Sequence, residues 1–197
     1  MKHIFTRLLS ILFLCAISIS AMAQEAYAVM SKDSTTLTFY YDNKKASREG
    51  TAYELNPGEN RPELEKTKDH IILYTTDNDV DFTTVVFDGS FKDARPISCA
   101  HWFSGFKNLK KIEGIENLNT SNVTDMYRMF DNCANLKTIY AGAGWIIGKD
   151  TDSEGMFWNS TKLVGGKGTI FSPDATDASR AKIDGGKANP GYFTAKK

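Results

Sequence analysis

Apolar positions in the second half of the chain recur at a fixed interval. Three stretches align without a gap at an offset of 27. They are Trp102-Phe103-Ser104-Gly105-Phe106-Lys107-Asn108-Leu109, Met129-Phe130-Asp131-Asn132-Cys133-Ala134-Asn135-Leu136 and Met156-Phe157-Trp158-Asn159-Ser160-Thr161-Lys162-Leu163. The shared pattern is Trp or Met, then Phe, then five residues, then Leu. Ile112 and Ile139 extend it at the same offset, and one step further back Phe82 takes the Leu position and Val85 the Ile position. Each L-x-x-I unit predicts a short strand with one inward face, and residues 83–87 read as the strand of a leading half-repeat. Met126, Met129 and Phe130 fall at helical spacing and predict a short helical stretch over residues 124–130. One such coil cannot bury its own apolar face, whereas stacked coils place like residues over like. The expected core is Trp102, Phe103, Leu109, Ile112, Met126, Met129, Phe130, Leu136, Ile139, Met156, Phe157 and Leu163, with Phe103, Phe130 and Phe157 as an aromatic ladder.

The N-terminal half shows strand patterning instead. Residues 26–30 and 35–41 are β-prone runs around Ser31-Lys32-Asp33-Ser34, a hairpin pattern. Residues 42–50 are polar, residues 51–55 read as a third strand ended by Asn56-Pro57-Gly58, and residues 71–75 as another. At the far end, residues 174–182 predict a short helix capped by Asp174 or Thr176. A period of 27 lies within the range of leucine-rich repeats. The expected fold is therefore an α+β repeat, a short leucine-rich-repeat-like solenoid with parallel strands over residues 81–166. A β-hairpin module at 24–80 caps its N-terminal end, and residues 167–197 close the other.

The stretch Asn119-Thr120-Ser121-Asn122-Val123-Thr124-Asp125-Met126-Tyr127-Arg128-Met129-Phe130-Asp131-Asn132-Cys133-Ala134-Asn135-Leu136 resembles the repeat signature of BspA-like leucine-rich-repeat surface proteins of bacteria. Lys182-Ile183-Asp184-Gly185-Gly186-Lys187-Ala188-Asn189-Pro190-Gly191-Tyr192-Phe193-Thr194 resembles their closing segment. The resemblance implies a surface-exposed module that attaches to host or neighbouring-cell proteins. With two full repeats and two partial ones, its binding surface is short.

Residues 1–23 read as an export leader. Lys2 and Arg7 form a positive start, residues 8–19 an apolar run broken by Ser10 and Ser18, and Ala21-Met22-Ala23 a cleavage signal before Gln24. The run is shorter than the ~18–20 residues of a spanning helix. The expectation is export, cleavage after Ala23, an extracellular, cell-surface or periplasmic location, and no transmembrane segment afterwards. The precursor holds 24 Lys+Arg against 24 Asp+Glu. Losing the leader removes two of the basic residues and leaves the chain slightly acidic, which excludes a strongly basic nucleic-acid binder. Of three cysteines, Cys99 and Cys133 survive cleavage. They share repeat positions with Met126 and Phe106, which reads as buried packing; a bridge between them would need Cα atoms within ~7 Å.

Chemical motifs are sparse. Gly142-Ala143-Gly144-Trp145-Ile146-Ile147-Gly148 misses the dinucleotide fingerprint by one residue, and a polar turn follows it where a helix is required. Gly165-Gly166-Lys167-Gly168-Thr169 lacks the upstream Gly and the Ser/Thr directly after Lys that a phosphate loop needs. Asp77-Asn78-Asp79-Val80-Asp81 has Phe82 where a calcium loop needs Gly. Asp150, Asp152 and Glu154 precede Gly155, but Thr161 stands in the position of the bidentate Glu, leaving at most a weak calcium site. His70 and His101 have no third ligand at metal spacing. No catalytic constellation assembles, so the expectation is a non-enzyme without cofactor. In a repeat of this kind the residues flanking the inward strand positions form the binding face: Thr84 and Val86, Lys111 and Glu113, Thr138 and Tyr140. Tyr140 is the natural anchor, because interface hot spots favour aromatics. The expected partner is a protein or glycan on a host or bacterial surface. The rival reading is a structural subunit of an envelope assembly; an enzyme would need a deep pocket with convergent polar groups.

Overall fold

The first two strands described, β1 (Glu25–Met30) and β2 (Thr36–Asp42), pair antiparallel in register from Glu25↔Asp42 to Met30↔Leu37. The computed structural model describes residues 23–55, 82–142 and 145–196. The leader up to Met22, the strand expected at 71–75, His70 and the acidic run at 77–81 lie outside the described residues. In the hairpin turn the Asp33 carboxylate accepts from the Ser31 hydroxyl at 2.6 Å and from the Thr35 N–H at 3.1 Å. Ser34 there takes a left-handed φ of 57°. β3 (Thr51–Glu54) pairs antiparallel with the other edge of β1.

From β2 onward the sheet turns parallel. β4 (Thr84–Phe87) pairs with β2, then β5 (Lys111–Glu113), β6 (Thr138–Ala141) and β7 (Phe193–Ala195) follow in parallel. The spatial order is β3-β1-β2-β4-β5-β6-β7. The 27-residue offset is visible in the register, where Thr84 lies beside Lys111 and Lys111 beside Thr138.

The α+β leucine-rich solenoid expected from the sequence does not form. The fold is a seven-stranded mixed sheet, and no α-helix occurs among the described residues, only short 3-10 turns such as Gly89–Asp93, Ile115–Asn117 and Ala178–Arg180. The last of these is capped by Asp177, not by Asp174 or Thr176. Hydrogen bonding explains why residues 124–130 are not helical. Met126, Arg128, Phe130 and Asn132 donate their N–H groups to the carbonyls of Asp152, Glu154, Met156 and Trp158 at 2.7–3.1 Å. One repeat earlier, Cys99, His101, Phe103 and Gly105 donate to Asp125, Tyr127, Met129 and Asp131. Residues between them bond three positions back, as Met129 does to Met126 and Asp131 to Arg128. Every second N–H is thus committed to the neighbouring repeat, which leaves no i→i−4 ladder. Left-handed φ values at Arg128 (52°) and Asn132 (55°) interrupt any helix as well.

All twelve expected core positions are buried. Phe103, Phe130 and Phe157 stack with centroids 5.5 and 5.4 Å apart and planes within 14° and 6°. The hairpin joins the same core. Phe39 stacks on Phe87 at 4.7 Å and on Trp102 at 5.7 Å. At the other end Tyr192 and Phe193 close edge-on over Phe157. The buried Asp184 ties the closing segment together. It accepts from the N–H groups of Lys167 (2.7 Å), Thr169 (3.0 Å) and Gly186 (2.8 Å) and from the Thr169 hydroxyl (2.7 Å). Gly165 is required beside it, since a Cβ there would lie 2.1 Å from the Gly191 carbonyl oxygen.

Candidate functional site

The alternation of β4, β5 and β6 sends Val85, Ile112 and Ile139 into the core and their flanking residues to the opposite face. All six expected contact residues gather there. Thr84, Lys111 and Thr138 form one row across the sheet, with Thr36 of β2 continuing it. Val86 lies beside Glu113 and Thr38, and Tyr140 beside Thr194. Lys111 is exposed and the other five are half-buried. The Lys111 ammonium donates to Glu113 Oε1 at 2.6 Å, so the two charges largely offset each other. What remains is a nearly neutral face of threonine hydroxyls, Val86 and the Tyr140 ring.

The same face is closed at its β1–β2 end. Tyr27 and Tyr40 stack at 5.6 Å, and the Arg48 guanidinium lies 3.7 Å over the Tyr40 ring. Arg48 also donates to the Tyr27 hydroxyl at 3.2 Å and pairs with Asp42 at 2.5 Å. Burial, with the Asp42 carboxylate as acceptor, pushes the Tyr27 phenol up to about 12. Burial alone would raise Asp42, but hydrogen bonds from Tyr27, the Lys44 N–H and Arg48 outweigh it and hold the carboxyl below its ordinary range. Among the described residues, the β4–β7 part of this face carries no such cluster.

Residues suspected of other chemistry have structural employment. Asp152 accepts from the Glu154 N–H at 3.0 Å, as Asp125 does from Tyr127 at 2.9 Å and Ser98 from Ala100 at 3.2 Å. It caps a turn that recurs with the repeat. Asp150 and Glu154 are exposed, Asp150 lying 4.0 Å from Lys149. No group of three or more His, Cys, Asp or Glu suited to a metal ion occurs among the described residues. In the loop at 165–169 the N–H groups of Lys167 and Thr169, which a phosphate would need, already serve Asp184.

Cys99 and Cys133 are free and buried. Burial pushes both thiols up, away from reactivity. Cys133 does more than fill space. Its thiol donates to the Phe103 carbonyl at 2.9 Å, as the Ser160 hydroxyl one repeat on donates to the Phe130 carbonyl at 2.5 Å. Serine in the following repeat was the sequence signal for that role.

Sequence reasoning missed a groove on the turn side of the last repeat. Trp158, Asn159, Thr161, Phe171, Pro173 and Thr176 line a cavity of about 400 Å³. Its signal was Trp158, a large aromatic in a repeat position held by Ser104 and Asp131.

These stacked turns and strands occupy the part of the chain that known sequences recognise. Residues 95–178 match the model of a family described as "Mycoplasma protein of unknown function, DUF285". The match spans less than half of the chain and falls on the repeat-bearing part. The matching model is DUF285 itself and not that of the BspA-like leucine-rich-repeat family. No curated protein and no solved structure matches the chain. The DUF285 segment includes β5, β6 and the Phe ladder, whereas the hairpin, β4 and the closing strand β7 lie outside it. Among the described residues no helix is long and apolar enough to cross a membrane.

Proposed function

We propose that the chain is an exported, cell-surface interaction module whose β4–β7 face binds a protein on a host or neighbouring cell. The observation that carries this reading is the register, which assembles Thr84, Val86, Lys111, Glu113, Thr138 and Tyr140 on one face of the sheet. An internally paired Lys111–Glu113 couple, flanked by hydroxyls and one aromatic ring, has the makeup of an interface centre, where charge is depleted and Tyr enriched. The leader supports export. The DUF285 match and the BspA-like signature at residues 119–136 support a bacterial surface protein built on repeats.

The test is capture. Immobilised chain is exposed to solubilised host matrix and surface proteins, and bound proteins are identified by mass spectrometry. The reading expects a partner that wild type retains and Tyr140→Ala loses. Equal retention by both removes the site, and concentration-dependent self-assembly without any captured partner favours an envelope subunit instead.

A further inference from the structure

We propose that the groove beside Trp158 is a carbohydrate site that takes a pyranose ring of an uncharged glycan. It belongs to the turn segment of the last repeat and is separate from the sheet face assigned above to a protein partner. Of the three tryptophans, Trp102 is buried and Trp145 half-buried, while Trp158 is 54% exposed. Its ring borders a cavity of about 400 Å³, within the range of small-molecule sites. No lining residue is charged, although 24% of the chain is. That lining favours a neutral ligand over an anionic or cationic one.

The lining is mostly apolar, with Asn159, Thr161 and Thr176 adding a few polar groups, a makeup that suits a sugar's apolar ring face and hydroxyl edge. The Trp158 indole N–H and the hydroxyls of Thr161 and Thr176 have no hydrogen-bond partner among the described residues. Asn159 spends its amide N–H on Asn132 Oδ1 at 2.7 Å, which leaves its carbonyl oxygen unused at the end of that ladder. An apolar chain in the groove would desolvate these groups without replacing their hydrogen bonds, an unfavourable exchange. A pyranose satisfies both demands. Its C–H face packs on the indole while its hydroxyls donate to Asn159 and accept from the indole N–H and the threonines.

The walls are held in place without a ligand. The Phe157 N–H donates to the Thr176 carbonyl at 2.8 Å, the Phe171 N–H to the Leu163 carbonyl at 3.1 Å, and the Ser172 N–H to the Tyr192 hydroxyl at 2.9 Å. Such preorganisation lowers the ordering cost of binding.

The experiment titrates the chain with maltohexaose, cellohexaose and chitohexaose and follows tryptophan emission. We expect a saturable blue shift with at least one of them. Affinity should fall at least about tenfold in Trp158→Ala, fall less in Trp158→Phe and Thr161→Ala, and stay unchanged in Tyr140→Ala, which also separates this proposal from the protein-binding one. An unchanged near-ultraviolet circular dichroism spectrum at the other aromatics verifies that each variant is folded. The proposal is overturned if no oligosaccharide gives a saturable signal up to roughly 10 mM, or if Trp158→Ala binds as well as wild type. It is equally overturned if a sulfated oligosaccharide or a proline-rich peptide binds the groove in preference to all three neutral sugars.

Discussion

Backbone conformation at single residues repeats with the same period as the side chains. His101, Arg128 and Gly155 share one repeat position, and all three have φ between 52° and 62°. Gly105, Asn132 and Asn159 share another, with φ of 82°, 55° and 56°. L-residues pay roughly 1–2 kcal/mol for that region, with Asn among the more tolerant. The hydrogen bond that the Asn159 side-chain amide donates to Asn132 Oδ1 recovers part of this cost. Replacing Asn132 by Gly relieves the left-handed strain and loses the amide's hydrogen bond, so the two effects largely offset and stability should change by less than about 1 kcal/mol. Asn132→Val also loses the amide and should be clearly worse, because a β-branched residue at positive φ is strained. Denaturant titration of the two variants checks the order. At the centre of the ladder, Phe130→Ala should cost about 3–5 kcal/mol, a large share of the ~5–15 kcal/mol typical of a domain. An unchanged denaturation midpoint in that variant contradicts the stacked core.

Among the elements, the repeat strands β4, β5 and β6 are legible in the sequence and the turns are not. Inward positions such as Val85, Ile112 and Ile139 show the strand period directly, and the offset of 27 places β4, β5 and β6 side by side. The shared face of the six proposed contact residues follows from that alternation alone. Met126, Met129 and Phe130 misled because helical spacing and a stacked turn bury the same positions. The difference lies in where the N–H of Phe130 goes, to Met156 of the next repeat, and local periodicity carries no record of that. The Trp158 groove was hidden for a similar reason, since Phe171 and Pro173 reach it from outside the repeat. β7 escaped notice because its inward residue, Phe193, lies in a Gly/Asn/Pro-rich tail.

Asp184 anchors that tail and sets a pH dependence. Burial works to raise its carboxyl, but hydrogen bonds from Thr169, Gly186 and Lys167 outweigh it and hold it well below the ordinary 3.8. A depressed folded value means that the stabilisation is fully present above the unfolded value and is lost as pH falls below it through the folded one. Asp184→Asn should therefore lower the melting temperature at neutral pH, by the equivalent of about 1–3 kcal/mol. It should also flatten the decline in stability below about pH 4. A decline as steep as that of wild type would show that the carboxylate is not the acid-sensitive clasp.

Across the whole molecule, one sheet and one core join the hairpin, the repeats and the closing segment. Phe39 of β2 touches Phe87, Phe91, Trp102 and Phe103, so the hairpin shares its packing with the first repeat. Continuous packing of this sort predicts a single unfolding transition, with fluorescence and circular dichroism midpoints coinciding. Separate transitions would show that β1–β3 fold apart from the repeats. The same continuity backs the β4–β7 face with packed core, which suits the preformed binding surface proposed there. Whether that face is where the partner binds is decided by the affinity of Tyr140→Ala for the captured partner. Loss of a hot-spot tyrosine should weaken binding by about 2 kcal/mol or more, roughly thirtyfold in Kd, with the melting temperature unchanged. A Kd equal to that of wild type would contradict the assignment of this face.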